Sequence, residues 1–156
     1  MFEDFYRDEF KPLIWFAVRA GASAVEAEDV AQEAMKATWA RWSEIDNPRA
    51  YARTAALRVL YRAHGRAKRE QDAALRATGP EHAEGPFGTD ARLVVRMLHA
   101  LPVSQREVIA LTMDGYGAME IAEITGQKPA TVRSNLRHAR RNLVAMLERE
   151  EAKHGT

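Results

Sequence analysis

Between Val103 and Leu147 a short apolar helical pattern ends at Gly126, Gln127-Lys128-Pro129 follows, and a basic amphipathic pattern then begins. A gap of about three or four residues sets the second helix steeply across the first and projects its polar face outward. At about 100° per residue, Val132, Leu136, Ala139 and Leu143 fall on one stripe and are predicted to face a core. Opposite them lie Ser134, Arg137, His138 and Arg141, whose side chains donate to phosphates or to guanine edges. No Asp or Glu occurs between Gln127 and Leu147 to repel a phosphate. A helix-turn-helix that carries such a face points at the DNA major groove.

At 156 residues the chain holds one good core or two small ones, and a long helical pattern at each end favours two. Lys and Arg total 23 against 22 Asp and Glu, so the balance says little and the distribution says more. Arg49, Arg53, Arg58, Arg62, Arg66, Lys68 and Arg69 form a second basic block with no acidic residue among them, whereas acidic residues gather from Glu26 to Glu33. Segregation of this kind lets one surface hold DNA and another hold a different macromolecule. The absence of cysteine removes disulfides and thiolate metal sites and fits a reducing cytoplasm. No signal-peptide pattern opens the chain and no apolar run approaches the roughly 20 residues needed to cross a bilayer, so a cytoplasmic protein without membrane insertion is expected.

Along the chain, Phe2, Phe5, Phe10, Leu13, Ile14 and Ala17 recur at helical spacing, with Pro12 expected to kink the segment or begin a second helix and Gly21 to end it. Ser23 and Glu26 have capping-box spacing, which predicts a helix from about Ala24 to Arg41. Asn47-Pro48 supplies a cap and a preset first position for a third helix to about Arg69. Periodicity fades over Gln71–Thr89, where Gly-Pro pairs read as a flexible connector. It returns from Leu93 to Leu101, and Ser104 with Glu107 predicts the start of the next helix. The expected architecture is all-α: a helical domain over residues 1–70, a linker over 71–89 and a helix-turn-helix domain over 90–156.

These residues together resemble the small extracytoplasmic-function sigma factors of bacterial RNA polymerase. Ala27-Glu28-Asp29-Val30-Ala31-Gln32-Glu33-Ala34, Trp39, Trp42 and Asn47-Pro48-Arg49-Ala50-Tyr51 resemble the family's second region. Leu101-Pro102, Gln105 to Leu111, Glu120-Ile121-Ala122, Gly126 and Thr131-Val132-Arg133-Ser134 resemble its fourth.

The resemblance implies a transcription initiation factor without cofactor, metal or catalytic activity of its own. Asp29, Gln32, Glu33 and Lys36, which share one helical face, would dock on the clamp helices of the polymerase largest subunit. Asn47, Tyr51, Arg53, Thr54, Arg58, Tyr61 and Arg62 would capture the non-template strand of the −10 element. Lys128, Thr131 and Arg133 would stand near phosphates of the −35 duplex, with Ser134, Arg137, His138 and Arg141 at base edges or adjacent phosphates. An anti-sigma factor is implied as a third partner, beside polymerase and promoter DNA, and a mobile connector would let the lobes close over the basic faces. Trp42 is expected in the core, with Trp39 nearer the polar face. Gly117, Lys128, Arg58, Arg62 and His138 depart from the residues common in the family, which leaves the promoter sequence open.

Three other readings explain less. A stand-alone helix-turn-helix regulator leaves the acidic helix, the paired tryptophans and the second basic block unused. A decoy that only sequesters an anti-sigma factor has no need of two basic faces. Asp29 and Glu33 stand one turn apart, yet no phosphate loop, nucleophile or histidine cluster completes a catalytic site around them.

Overall fold

The computed structural model describes residues 1–70 and 89–155. The side chains of Arg66, Lys68 and Arg69, and residues 71–88 of the connector predicted over 71–89, lie outside what it describes, while Thr89 begins the next helix. The described residues are all-α. Helices α1 (Phe2–Arg19), α2 (Ala24–Ala40) and α3 (Pro48–Glu70) form the amino-terminal half, with a single 3-10 turn at Trp42–Glu44. Helices α4 (Thr89–His99), α5 (Val103–Met113), α6 (Ala118–Thr125) and α7 (Pro129–His154) form the carboxyl-terminal half.

Local chemistry accounts for most of these boundaries. Ser23 accepts the Glu26 N–H at 3.1 Å and starts α2, and the Asn47 side chain accepts the Ala50 N–H at 3.2 Å just ahead of Pro48 in α3. Gly126 closes α6 in the left-handed conformation at φ 77°, which a residue with a Cβ adopts only with strain, and Pro129 opens α7 after three intervening residues. Gly117 has no side chain to cap α6; its own N–H donates instead to the Glu120 carboxylate at 3.1 Å.

Two boundaries differ from expectation. Pro12 neither breaks nor splits α1, because it lies on the exposed side, where the carbonyl it leaves unpaired faces solvent. Ser104 does not cap α5. Pro102, at φ −55° and ψ 149°, sets the chain direction and the helix begins at Val103, one residue before the serine.

The expected pair of separate cores is replaced by one cluster that runs through both halves. It joins Leu13, Phe16 and Ala17 of α1, the alanine-rich inner faces of α2 and α3, and Val108, Leu111 and Ile121 from α5 and α6. A smaller cluster of Leu98, Leu101, Ile109 and Ala139 ties α4 and α5 to α7, with Leu136, Leu143 and Met146 packed on it. Val132 and Ala139 are fully buried, as the helical stripe on α7 requires. Small residues let the halves approach closely. A Cβ built on Gly21, at φ 126°, would stand 2.6 Å from Nη1 of Arg106 across the contact. Leu111→Ala, at a fully buried site, is expected to cost about 2–5 kcal/mol, read as a fall in the urea midpoint for the whole chain.

Candidate nucleic-acid interface

Helix α7 presents the first candidate surface. Lys128, Thr131, Arg133, Arg137, His138 and Arg141 are exposed and Ser134 is half-buried, all on the side away from Val132 and Ala139. Gln127 in the turn accepts from Asn135 at 3.0 Å, which fixes the turn against the first part of the helix. The ion pairs of α7 gather at its far end, where Glu150 meets Lys153 and His154. The arginines of the first four turns have no carboxylate partner among the described residues.

On α2, Asp29, Gln32, Glu33 and Lys36 are all exposed on one face, and Glu33 and Lys36 pair loosely at 3.8 Å. Val30 and Ala34 on the other face are buried. Trp42 is half-buried against Phe2 and Phe5, with ring centroids 5.3 Å apart in each case. Trp39 is 65% exposed, its ring centroid 6.2 Å from that of Phe2, whereas Trp42, expected in the core, is only half-buried because α2 ends at Ala40 and the 3-10 turn carries it off the helical register.

The residues predicted on α3 are divided between two environments. Tyr51, Thr54, Arg58, Tyr61 and Arg62 line an open groove of about 910 Å³ between α2 and α3 on one side and α5 and α6 on the other. Asn47, Tyr51 and Thr54 also line a smaller groove of about 380 Å³ with the loop that precedes α3. Arg53 is not on this surface. Its side chain is 0% exposed, with Nη1 donating to Glu9 at 2.8 Å and Nε donating to Asp114 at 3.0 Å.

Asp114, at the end of α5, is the centre of the contact between the halves. Its carboxylate also receives Arg19 at 3.3 Å, and its backbone carbonyl receives Nη2 of Arg49 at 3.0 Å. Arg49 stacks 4.9 Å above the ring of Tyr116, while Thr54 donates to the Ile124 carbonyl at 3.2 Å. Elsewhere in the contact His99 donates from Nε2 to the Val18 carbonyl at 2.7 Å. Arg106 donates to the carbonyls of Leu98, His99 and Leu101, closing the end of α4. Glu9, Arg19, Asp114 and Tyr116 had no signature in the chain's local patterns. Asp114 sits in Met-Asp-Gly-Tyr-Gly, which reads only as a helix stop.

The described residues contain no cluster of three or more His, Cys, Asp or Glu that could hold a metal ion, and no helix among them is long and apolar enough to cross a membrane.

Fold and surfaces define a two-part helical protein whose carboxyl-terminal part ends in a helix-turn-helix. The family of sigma-70 region 2 matches residues 5–70, and that of sigma-70 region 4 matches residues 91–143. The chain is similar to the sigma factor RpoE of Bartonella quintana, solved with the anti-sigma factor NepR: 25% identity, TM-score 0.76, over 94% of this chain and 98% of that one. It is also similar to CnrH, solved with the cytosolic domain of CnrY: 25% identity, TM-score 0.66, over 94% of this chain and 87% of that one. No curated relative matches it. The chain belongs to the sigma-70 family, as a sigma factor of the extracytoplasmic-function type that directs RNA polymerase to promoters.

The contact between the halves carries a pH dependence. Burial pushes the His99 pKa below its usual 6.5 against the hydrogen bond to the Val18 carbonyl; Arg106 and His64 also lower it and Glu26 raises it. The packed form therefore holds fewer protons than the unfolded chain, so this contribution is present above pH 6.5 and is lost as pH falls from there toward the depressed value. Glu107 acts oppositely at lower pH, since burial raises its carboxyl above 4.5. The urea midpoint is expected to be lower at about pH 5.5 than at about pH 7.5, with His99→Gln removing most of the difference.

Proposed function

We propose a division of labour among three surfaces. The exposed face of α2, with Asp29, Gln32, Glu33 and Lys36, docks on the clamp helices of the polymerase largest subunit. Helix α7 enters the major groove of the −35 element, with Lys128, Thr131 and Arg133 on phosphates and Ser134, Arg137, His138 and Arg141 at base edges or neighbouring phosphates. Helix α3 and the loop before it hold the non-template strand of the −10 element through Asn47, Tyr51, Thr54, Arg58, Tyr61 and Arg62, using cations for the backbone and tyrosine faces for bases, while Arg53, expected among them, is buried in the contact between the halves. The domains that carry these roles are residues 1–70 and 90–156.

The observation that carries this reading is the cationic face of α7. Its arginines have no carboxylate partner among the described residues, the state in which they gain most from phosphate. Tyr61, 74% exposed beside Arg58 and Arg62, supports the reading of α3 in the same way. The polymerase performs all the chemistry, and the factor works with it in the cytoplasm. Both similar structures contain an anti-sigma factor or a partner's cytosolic domain, which supports a protein of the anti-sigma kind as the third partner here.

Core polymerase with the Asp29→Ala, Gln32→Ala double variant is expected to yield run-off transcript reduced by at least about tenfold, with unchanged circular dichroism. Wild-type transcript levels from that variant would refute docking through α2. For Arg137→Ala with Arg141→Ala, promoter affinity of the holoenzyme is expected to fall and the slope of log affinity against log salt to shrink by about 1 to 2.

A further inference from the structure

The path predicted for the single strand is interrupted by the chain itself. The two grooves that flank α3 both include Tyr51, Thr54, Glu123 and Ile124, so the carboxyl end of α6 separates them, with Thr54 bonded to the Ile124 carbonyl at the crossing. A strand passing from Asn47 toward Arg62 along α3 meets α6 at that point. Beneath the crossing, Asp114 takes the Arg53 guanidinium that a backbone phosphate would otherwise engage. The lobe that covers the basic helix is acidic where it does so, with Glu107 and Glu123 in the larger groove and Glu120 and Glu123 in the smaller.

We propose that Asp114 acts as an internal stand-in for a DNA phosphate, so that closure of the two halves and capture of a single strand exclude one another. This rests on the reading of α3 as the strand-holding helix.

The cluster is built to exchange one anion for another. Arg19, Arg49 and Arg53 converge on Asp114, and Glu9 supplies the second carboxylate, so three cations face two anions. Nη2 of Arg53 and the hydroxyl of Tyr116 are buried and have no hydrogen-bond partner among the described residues. When Asp114 and Tyr116 leave with the carboxyl-terminal half, three cations face Glu9 alone and Arg53 has unused donors at Nε and Nη2, which a phosphate group, with more acceptor oxygens than a carboxylate, is suited to satisfy. Glu9 lies on α1 and stays with the amino-terminal half, so an opened Arg53 remains held in place beside Thr54.

The chain has no cysteine, so Glu28→Cys with Glu148→Cys, both exposed and on opposite halves, takes a donor and an acceptor dye. In this labelled chain Asp114→Asn is expected to lower energy transfer and to tighten binding of a fluorescent mixed-sequence oligodeoxynucleotide of about twenty nucleotides by about tenfold, measured by anisotropy without polymerase. Transfer unchanged by Asp114→Asn overturns the proposal by removing the latch. Lower transfer without tighter binding, or a gain that survives added Arg58→Ala and Arg62→Ala, overturns it by removing α3 as the strand site. Circular dichroism checks that the variant is folded. Should it unfold, the labelled parent chain decides the matter in low salt: transfer that falls as oligonucleotide binds supports exclusion, and saturation at constant transfer, or no binding, overturns it.

Discussion

A guanidinium with no exposure to water dictates how the two halves of this sigma factor meet. Removing an ion of that size from solvent costs several kcal/mol even after relaxation. Each carboxylate near 3 Å returns about 5 kcal/mol at an effective dielectric of about 20, and Asp114 must itself be desolvated to supply its share. Glu9 and the Arg49 carbonyl serve only Nη1 and leave the Nε of Arg53 without an acceptor, so burial of Arg53 is favoured when the carboxyl-terminal half is docked and Asp114 takes that donor. The balance is close to neutral in energy but strict in geometry. Only an approach that brings Asp114 over α3 leaves the charge compensated.

Everything else in the contact is arranged to permit that approach. Gly21, at a positive φ that disfavours any side chain, leaves room for Arg106, which in turn ties down the carbonyls at the end of α4. The alanines along α2 and α3 keep the amino-terminal bundle thin enough for Phe16 to lie beneath Arg53, 5.8 Å from its guanidinium carbon. As a result Val108, Leu111 and Ile121 share a core with Leu13 and Phe16, although nearly a hundred residues separate them. The surplus polar demand sits in the same place. Burial raises the Tyr116 pKa against the pull of Arg53 and Arg49, and its hydroxyl has no hydrogen-bond partner among the described residues.

Local order was legible in the chain because its causes are local. Ser23, Asn47, Gly126 and Pro129 each act within about one helical turn, and each marks a boundary where its chemistry requires one. The stripe of Val132 and Ala139 and the polar face of α2 follow from the 3.6-residue period, and so does the exposure of Trp39, whereas Trp42 lies past the end of α2 in a 3-10 turn. Where a signal was ambiguous, context decided it. Pro12 was absorbed because its side of α1 faces water, and Ser104 lost its capping role to the preset backbone of Pro102. Arg53 was read with its neighbours as one exposed basic face, but its partners stand 44 and 61 residues away on α1 and at the end of α5. No periodicity encodes such a pairing; it exists only once the chain is folded and the halves have met.

Two unsatisfied buried donors, at about 1–3 kcal/mol each, work against the docked arrangement and offset much of what its apolar contacts supply. A contact between domains that had evolved only for stability would be expected to bury leucine or methionine at this position, since replacing buried ion pairs by apolar side chains is often neutral or better. An arginine at this position suits a state in which Arg53 is not buried. In that state Arg53 stands with Arg49, about one turn away on the same side of α3 and across the helix from Arg58 and Arg62, as a cation free for a nucleic-acid phosphate. The same side chain thus serves two arrangements of the molecule, and its incomplete pairing in one keeps the other within reach.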